Sequence, residues 1–316
     1  MRPSHPVCAA LILAAALAWA FVAGGCQPEA KAVRLAVNPW LASELNAQVA
    51  AILLREHLHL PAEIVAVDEY EQWPALVRGD LDACLEVWPS GHQHDIDTYL
   101  GRAQGVESLG LLGVVGKIGW YAPRCLMREH PALATWQGLR DPALAAVFAT
   151  PSSHGKGQFL AGDPSWVQYD RQIIANPGLD LSVVQAGSEQ AIMAAVDQAF
   201  AQGRPILFYF WFPHPLHVKY SLAEVKLPPY NDECYAKAAQ GGVACGYPPD
   251  ILLKIAWPGL REKSPAAYEF LRNFNLTDQD QLAMMSQVSL GRSPAQAART
   301  WLDANQRRWK EWMPVD

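Results

Sequence analysis

The chain has 316 residues, with 25 Lys and Arg against 31 Asp and Glu, and a formal net charge of −6. An acidic balance without a basic stripe excludes the electrostatic footprint of a nucleic-acid binder. The length suits one two-lobed protein with ample material for a core.

The chain begins with a targeting signal rather than a structural element. Val7 to Val22 is a continuous apolar run, too short for a comfortable membrane span and followed by small residues. Residues 1–25 are therefore expected to be a signal peptide. Its removal takes away one cation, Arg2, and no acidic residue, so the exported chain is slightly more acidic. No later stretch is long and apolar enough to cross a bilayer.

From Val33 the pattern alternates short strands with helices. Val33–Val37 reads as a strand, and Ala42–His57 as a helix with Leu45, Val49, Ile52 and Leu53 on one face. Ile64–Val67 is a strand, Tyr70–Arg78 a short helix and Asp82–Trp88 a strand. Further on, Ala145–Ala149, Ser182–Val184 and Pro205–Phe210 read as strands, with helices over Trp166–Ala175 and Ser188–Gln202. The tail from Ser264 to Trp312 reads as helical, with caps at Ser264, Thr277 and Ser293. This rhythm predicts an α/β protein with largely parallel sheets covered by helices.

Four cysteines lie beyond Cys26. Cys234 and Cys245 flank a polar, Gly-rich loop, and export to an oxidising compartment predicts a disulfide between them. Cys84 falls in an apolar strand pattern and reads as buried. The spacing carries no C-x-x-C zinc signature. His92-Gln93-His94-Asp95 lacks a further ligand cluster at metal spacing, so no metal is expected. There is no G-x-S-x-G and no H-E-x-x-H, and nothing in the chain argues for an enzyme or a cofactor.

Three tryptophans stand at strand ends or helix starts: Trp88, Trp166 and Trp211. Open parallel sheets bind ligands beyond the carboxyl ends of their strands, which is where these rings fall. A lone tryptophan is usually core. Several converging on one cleft make a cage for a cation that has no N–H, held by the negative ring faces.

Ordered motifs surround these tryptophans. They are Arg78-Gly79-Asp80-Leu81-Asp82, Trp88-Pro89-Ser90-Gly91-His92, Asp163-Pro164-Ser165-Trp166, Tyr209-Phe210-Trp211-Phe212-Pro213-His214 and Gly246-Tyr247-Pro248. Together they resemble the substrate-binding proteins of ABC importers for glycine betaine, proline betaine and related osmoprotectants. The resemblance implies a type II periplasmic binding protein fold, two α/β lobes with a ligand cleft between them. Residues 26–118 and 222–316 would form the first lobe and residues 119–221 the second, with crossings near Gly116–Trp120 and Tyr220–Glu224.

The resemblance also implies roles. Trp88, Trp166 and Trp211 would cage a quaternary ammonium, with Trp40 as either a fourth wall or a packing residue. His92 would meet a ligand carboxylate, helped by the backbone N–H groups of Val167 and Gln168. His214 would reach the ligand, and His217 would be structural or exposed. Glu86 shares a face with Trp88 if the strand alternates cleanly, and a carboxylate there would favour a bare cation. The two carboxylate-binding features outweigh it, so glycine betaine is expected to bind more tightly than choline. A choline-specific protein of the same fold and a sugar-binding lipoprotein are the alternatives. Ala23-Gly24-Gly25-Cys26 resembles a bacterial lipobox, with Ala23 in place of the usual leucine. This implies lipid on Cys26, a membrane-anchored monomer, and a partner permease with its ATPase.

Overall fold

The computed structural model describes residues 31–101 and 105–315. The signal segment and Cys26 lie outside the described residues. The first half of the chain builds β1 (Val33–Val37), β2 (Ala62–Ala66) and β3 (Ala83–Val87), with β1 parallel to both neighbours. The helix Leu41–Glu56 connects β1 to β2. It buries alanines as well as Leu45, Val49, Ile52 and Leu53, because it packs against the sheet on one side and the helices Asp278–Ser289 and Pro294–Ala304 on the other. Small side chains are what allow helices to cover both sides.

The longest strand, β4 (Glu107–Pro123), runs through both halves. The second half contributes β5 (Gly157–Ala161), β6 (Leu181–Gln185) and β7 (Phe208–Phe212), with β5 parallel to β6 and β7. Two further strands, β8 (Leu222–Glu224) and β9 (Pro249–Ala256), both pair antiparallel with β4. The order is β2-β1-β3-β9-β4-β7-β5-β6, with β8 beside β4. At Lys117, β4 pairs with Pro249 on one side and Phe212 on the other.

Strand β8 pairs with the second half of β4. The following segment also stays there: Gln172 donates to Ala238, and Asn176 donates to Gly241 and Val243. The chain rejoins the first half only at β9. The loop between is closed by a Cys234–Cys245 disulfide, with Cα atoms 6.4 Å apart.

Some local expectations change. Ala145–Ala149 is helical, not extended, over Pro142–Ala145 and Ala146–Phe148. Asp141 caps this turn by accepting from Ala143 N–H, and Pro142 sits at its first position. The strand is instead Gly157–Ala161. The helix expected from Trp166 starts at Asp170, leaving Trp166 and Val167 in a loop. In the tail, Thr277 with Asp280 and Ser293 with Gln296 form reciprocal capping boxes, whereas the Ser264 side chain caps nothing.

Candidate ligand cage

The carboxyl ends of the parallel strands converge on one cavity. Trp40 follows β1, Glu69 follows β2, and Trp88, Ser90, Gly91 and His92 follow β3. From the second half come Trp166 and Val167 after β5, with Tyr209 and Trp211 from β7. Ile118 of β4 and Tyr247, just before β9, complete the lining. The four tryptophans therefore meet although they are spread over more than half the sequence.

Their rings are set at steep angles. Trp166 lies edge-on to Trp40 (6.4 Å between centroids, 86°) and to Trp211 (5.2 Å, 88°). Rings so arranged present faces to a shared space instead of stacking on each other. Backbone space makes this possible. A Cβ on Gly116 would sit 2.2 Å from the Trp88 ring, and one on Gly162 would sit 2.4 Å from the Trp166 ring. Only glycine lets the backbone pass so close.

Glu86 is buried behind the cage and is not part of its lining. It does share a face with Trp88. Its Oε1 accepts the indole N–H of Trp40 (2.7 Å) and of Trp88 (3.1 Å), and its Oε2 accepts from Asn46 (2.5 Å) and Gln281 (3.1 Å). It thus fixes two cage rings by their outer edges. Burial pushes its pKa up to about 7, against the pull of these four hydrogen bonds.

Two of the three donors expected for a ligand carboxylate, His92 and the N–H of Val167, are already engaged by a protein carboxylate. Glu69 Oε2 accepts Val167 N–H at 2.8 Å and lies 3.4 Å from His92 Nε2. His92 Nδ1 lies 2.8 Å from Asp95 Oδ2. Burial opposes the charge on His92, but the hydrogen bonds to Asp95 and Glu69 outweigh it and raise its pKa to about 9. His92 thus lies between two carboxylates, and the Trp73 indole N–H also approaches its Nδ1 at 3.2 Å. The Gln168 side chain turns away from the cavity: its Oε1 accepts Gly162 N–H and its Nε2 donates to Asp163 O.

His214 also lies outside the cavity lining. Its Nδ1 accepts Leu216 N–H and its Nε2 lies 2.9 Å from Glu189 Oε1. The other oxygen of Glu189 accepts Leu41 N–H at 2.7 Å, at the start of the helix after Trp40. A carboxylate suits the positive end of that helix. His214 thus connects through Glu189 to the start of the helix that follows Trp40. Glu69 lines the cavity without having been singled out by the sequence, and Tyr209 and Tyr247 line it too, having stood in the quoted motifs without a site role. Glu69 had a readable signal, since it follows a parallel strand as Trp40 and Trp88 do. Tyr247 is oriented by donating to Asp170 (3.0 Å) and accepting Tyr169 N–H (2.9 Å).

This architecture, with its cleft at the strand ends, is that of a type II periplasmic binding protein. The chain superposes on lactococcal OpuAC in its closed form with glycine betaine, with a TM-score of 0.70 at 21% identity over 90% of this chain and 100% of that one. It superposes equally on an ABC-transporter choline-binding protein in complex with choline, with a TM-score of 0.70 at 20% identity over 89% and 91% of the two chains. Residues 31–304 match the model of the substrate-binding domain of the ABC-type glycine betaine transport system, and the chain belongs to that family. Among its curated relatives is the trimethylamine N-oxide-binding protein of Pelagibacter ubique, 28% identical over 253 residues that cover 78% of this chain and 79% of the relative. The family consists of solute-binding proteins of ABC importers, not enzymes, and works outside the cytoplasm. Among the described residues, no helix is long and apolar enough to cross a membrane.

Proposed function

We propose that this protein is the exported receptor of an ABC importer for a compact methylated ammonium solute, held by Trp40, Trp88, Trp166 and Trp211. The observation that carries the reading is the convergence of four tryptophans on one small cavity, of about 30 Å³. A trimethylammonium group has no N–H to donate, and each ring face contributes roughly 0.5–2 kcal/mol to holding it. Four such faces contribute roughly 2–8 kcal/mol before the costs of association, so micromolar binding, about −8 kcal/mol, also draws on burial of the methyl groups and on a polar contact at the ligand's other end.

In this reading residues 1–25 are cleaved, Cys26 carries the lipid, and the monomer delivers its ligand to a membrane permease coupled to an ATPase. A sugar site is poorly supported. Among the polar side chains lining the cavity, Glu69, Ser90 and His92 are already paired within the protein. The test is calorimetric titration of the purified protein with trimethylamine N-oxide, choline, glycine betaine, proline betaine and carnitine, with glucose as control. Binding of none of the five ammonium compounds would refute the proposal.

A further inference from the structure

The predicted carboxylate site is filled from within. Val167 N–H and His92 both face Glu69, a cavity-lining residue only 8% exposed. The two donors come from different halves of the chain, and Glu69 bridges them as a ligand carboxylate otherwise would. A second carboxylate arriving there would meet a like charge and would find the N–H already taken. A different donor does lack a partner. Trp166 Nε1–H is buried and has none among the described residues, although Trp166 lines the cavity. Buried N–H groups are almost always hydrogen-bonded, so an acceptor atom on a ligand that reached this one would satisfy it.

We propose that Glu69 is the specificity-determining residue of the cage: it takes the place of a ligand carboxylate, and so selects trimethylammonium compounds whose polar end is a single oxygen. That oxygen, of an amine oxide or a hydroxyl, accepts from Trp166 Nε1–H. The inference rests on the cage reading above and names the ligand class within it. It reverses the expected preference for glycine betaine, because that expectation treated His92 and Val167 N–H as free.

The experiment is calorimetry of trimethylamine N-oxide, choline and glycine betaine against the wild-type protein, Glu69→Ala and Trp166→Phe, with tetramethylammonium as an oxygen-free probe. In the wild type at least one single-oxygen ligand should bind at least tenfold more tightly than glycine betaine. Glu69→Ala should improve glycine betaine at least tenfold without a matching gain for the other two. Trp166→Phe keeps a ring but removes the N–H, and should weaken the single-oxygen ligands more than tetramethylammonium. Wild-type binding of glycine betaine within tenfold of the tighter of the other two ligands overturns the inference while leaving the cage intact, and needs no variant to fold. A parallel loss of all three ligands in Glu69→Ala also overturns it, making Glu69 a tie between the two halves. Failure of every ligand to bind the wild type removes the cage reading itself, and this inference with it.

Discussion

Glu86→Gln isolates the carboxylate that anchors two cage tryptophans. The wild-type group titrates at about 7 in the folded chain against 4.5 for an ordinary glutamate, because burial outweighs its four donors. Below pH 4.5 the group is protonated in both the folded and the unfolded chain and stability does not depend on it. Between about 4.5 and 7 the unfolded chain loses the proton while the folded chain keeps it, so stability falls as pH rises. Above about 7 both are ionised and the dependence ends. At roughly 1.4 kcal/mol per pH unit, the stability lost across this window is about 3 kcal/mol. Glutamine has the same shape and no titration. Urea unfolding of wild type and Glu86→Gln at several pH values from 4 to 8 gives a difference in which all other titrating groups cancel. The variant should gain on the wild type by about 3 kcal/mol as pH rises through the window, whatever its offset at pH 4. A difference that is flat with pH would refute the reasoning by giving the folded group an ordinary pKa, and one that slopes the other way would refute it by showing that the four donors favour the ionised form. Ionised Glu86 also places negative charge behind two cage rings, so the affinity for a cationic ligand should rise between pH 6 and 8 in the wild type and stay level in Glu86→Gln.

Replacing Trp88, Trp166 or Trp211 by alanine should weaken binding of the preferred ligand by roughly 1–3 kcal/mol each, with double replacements less than additive because the rings share one cation; unchanged affinity in all three single variants, by calorimetry, would make these rings core. Cys234→Ala paired with Cys245→Ala should cost at most about 3 kcal/mol in urea unfolding, since the closed loop is short; a loss of ligand binding without loss of stability would point instead to a role in placing Tyr247. Cys26→Ser should abolish lipid labelling and release the protein from the membrane fraction, and unaltered fractionation would remove the lipid anchor from the account.

The sequence by itself determined the class of fold, and it placed the tryptophans whose rings line the cavity. Strand β1, the helix Ser188–Gln202 to within a residue at each end, and the capping boxes at Thr277 and Ser293 are local features, set by periodicity and by side chains that bond three residues away. The tryptophans were legible because each lies just past a strand end or within a strand at the cleft, and topology sends those places to one cleft. The strand assigned to Ala145–Ala149 failed because its apolar run does not distinguish strand from helix, and Asp141-Pro142 decided for a helical turn. Tertiary structure alone decided where the polar groups go. Glu69 and Val167 are 98 residues apart, and Glu86 and Gln281 are 195 apart. Which donor a buried carboxylate finds depends on how distant elements pack, and no local pattern in the chain encodes it. For that reason the sequence could propose a cage for an ammonium group, but not that the protein supplies its own carboxylate to the donors beside it.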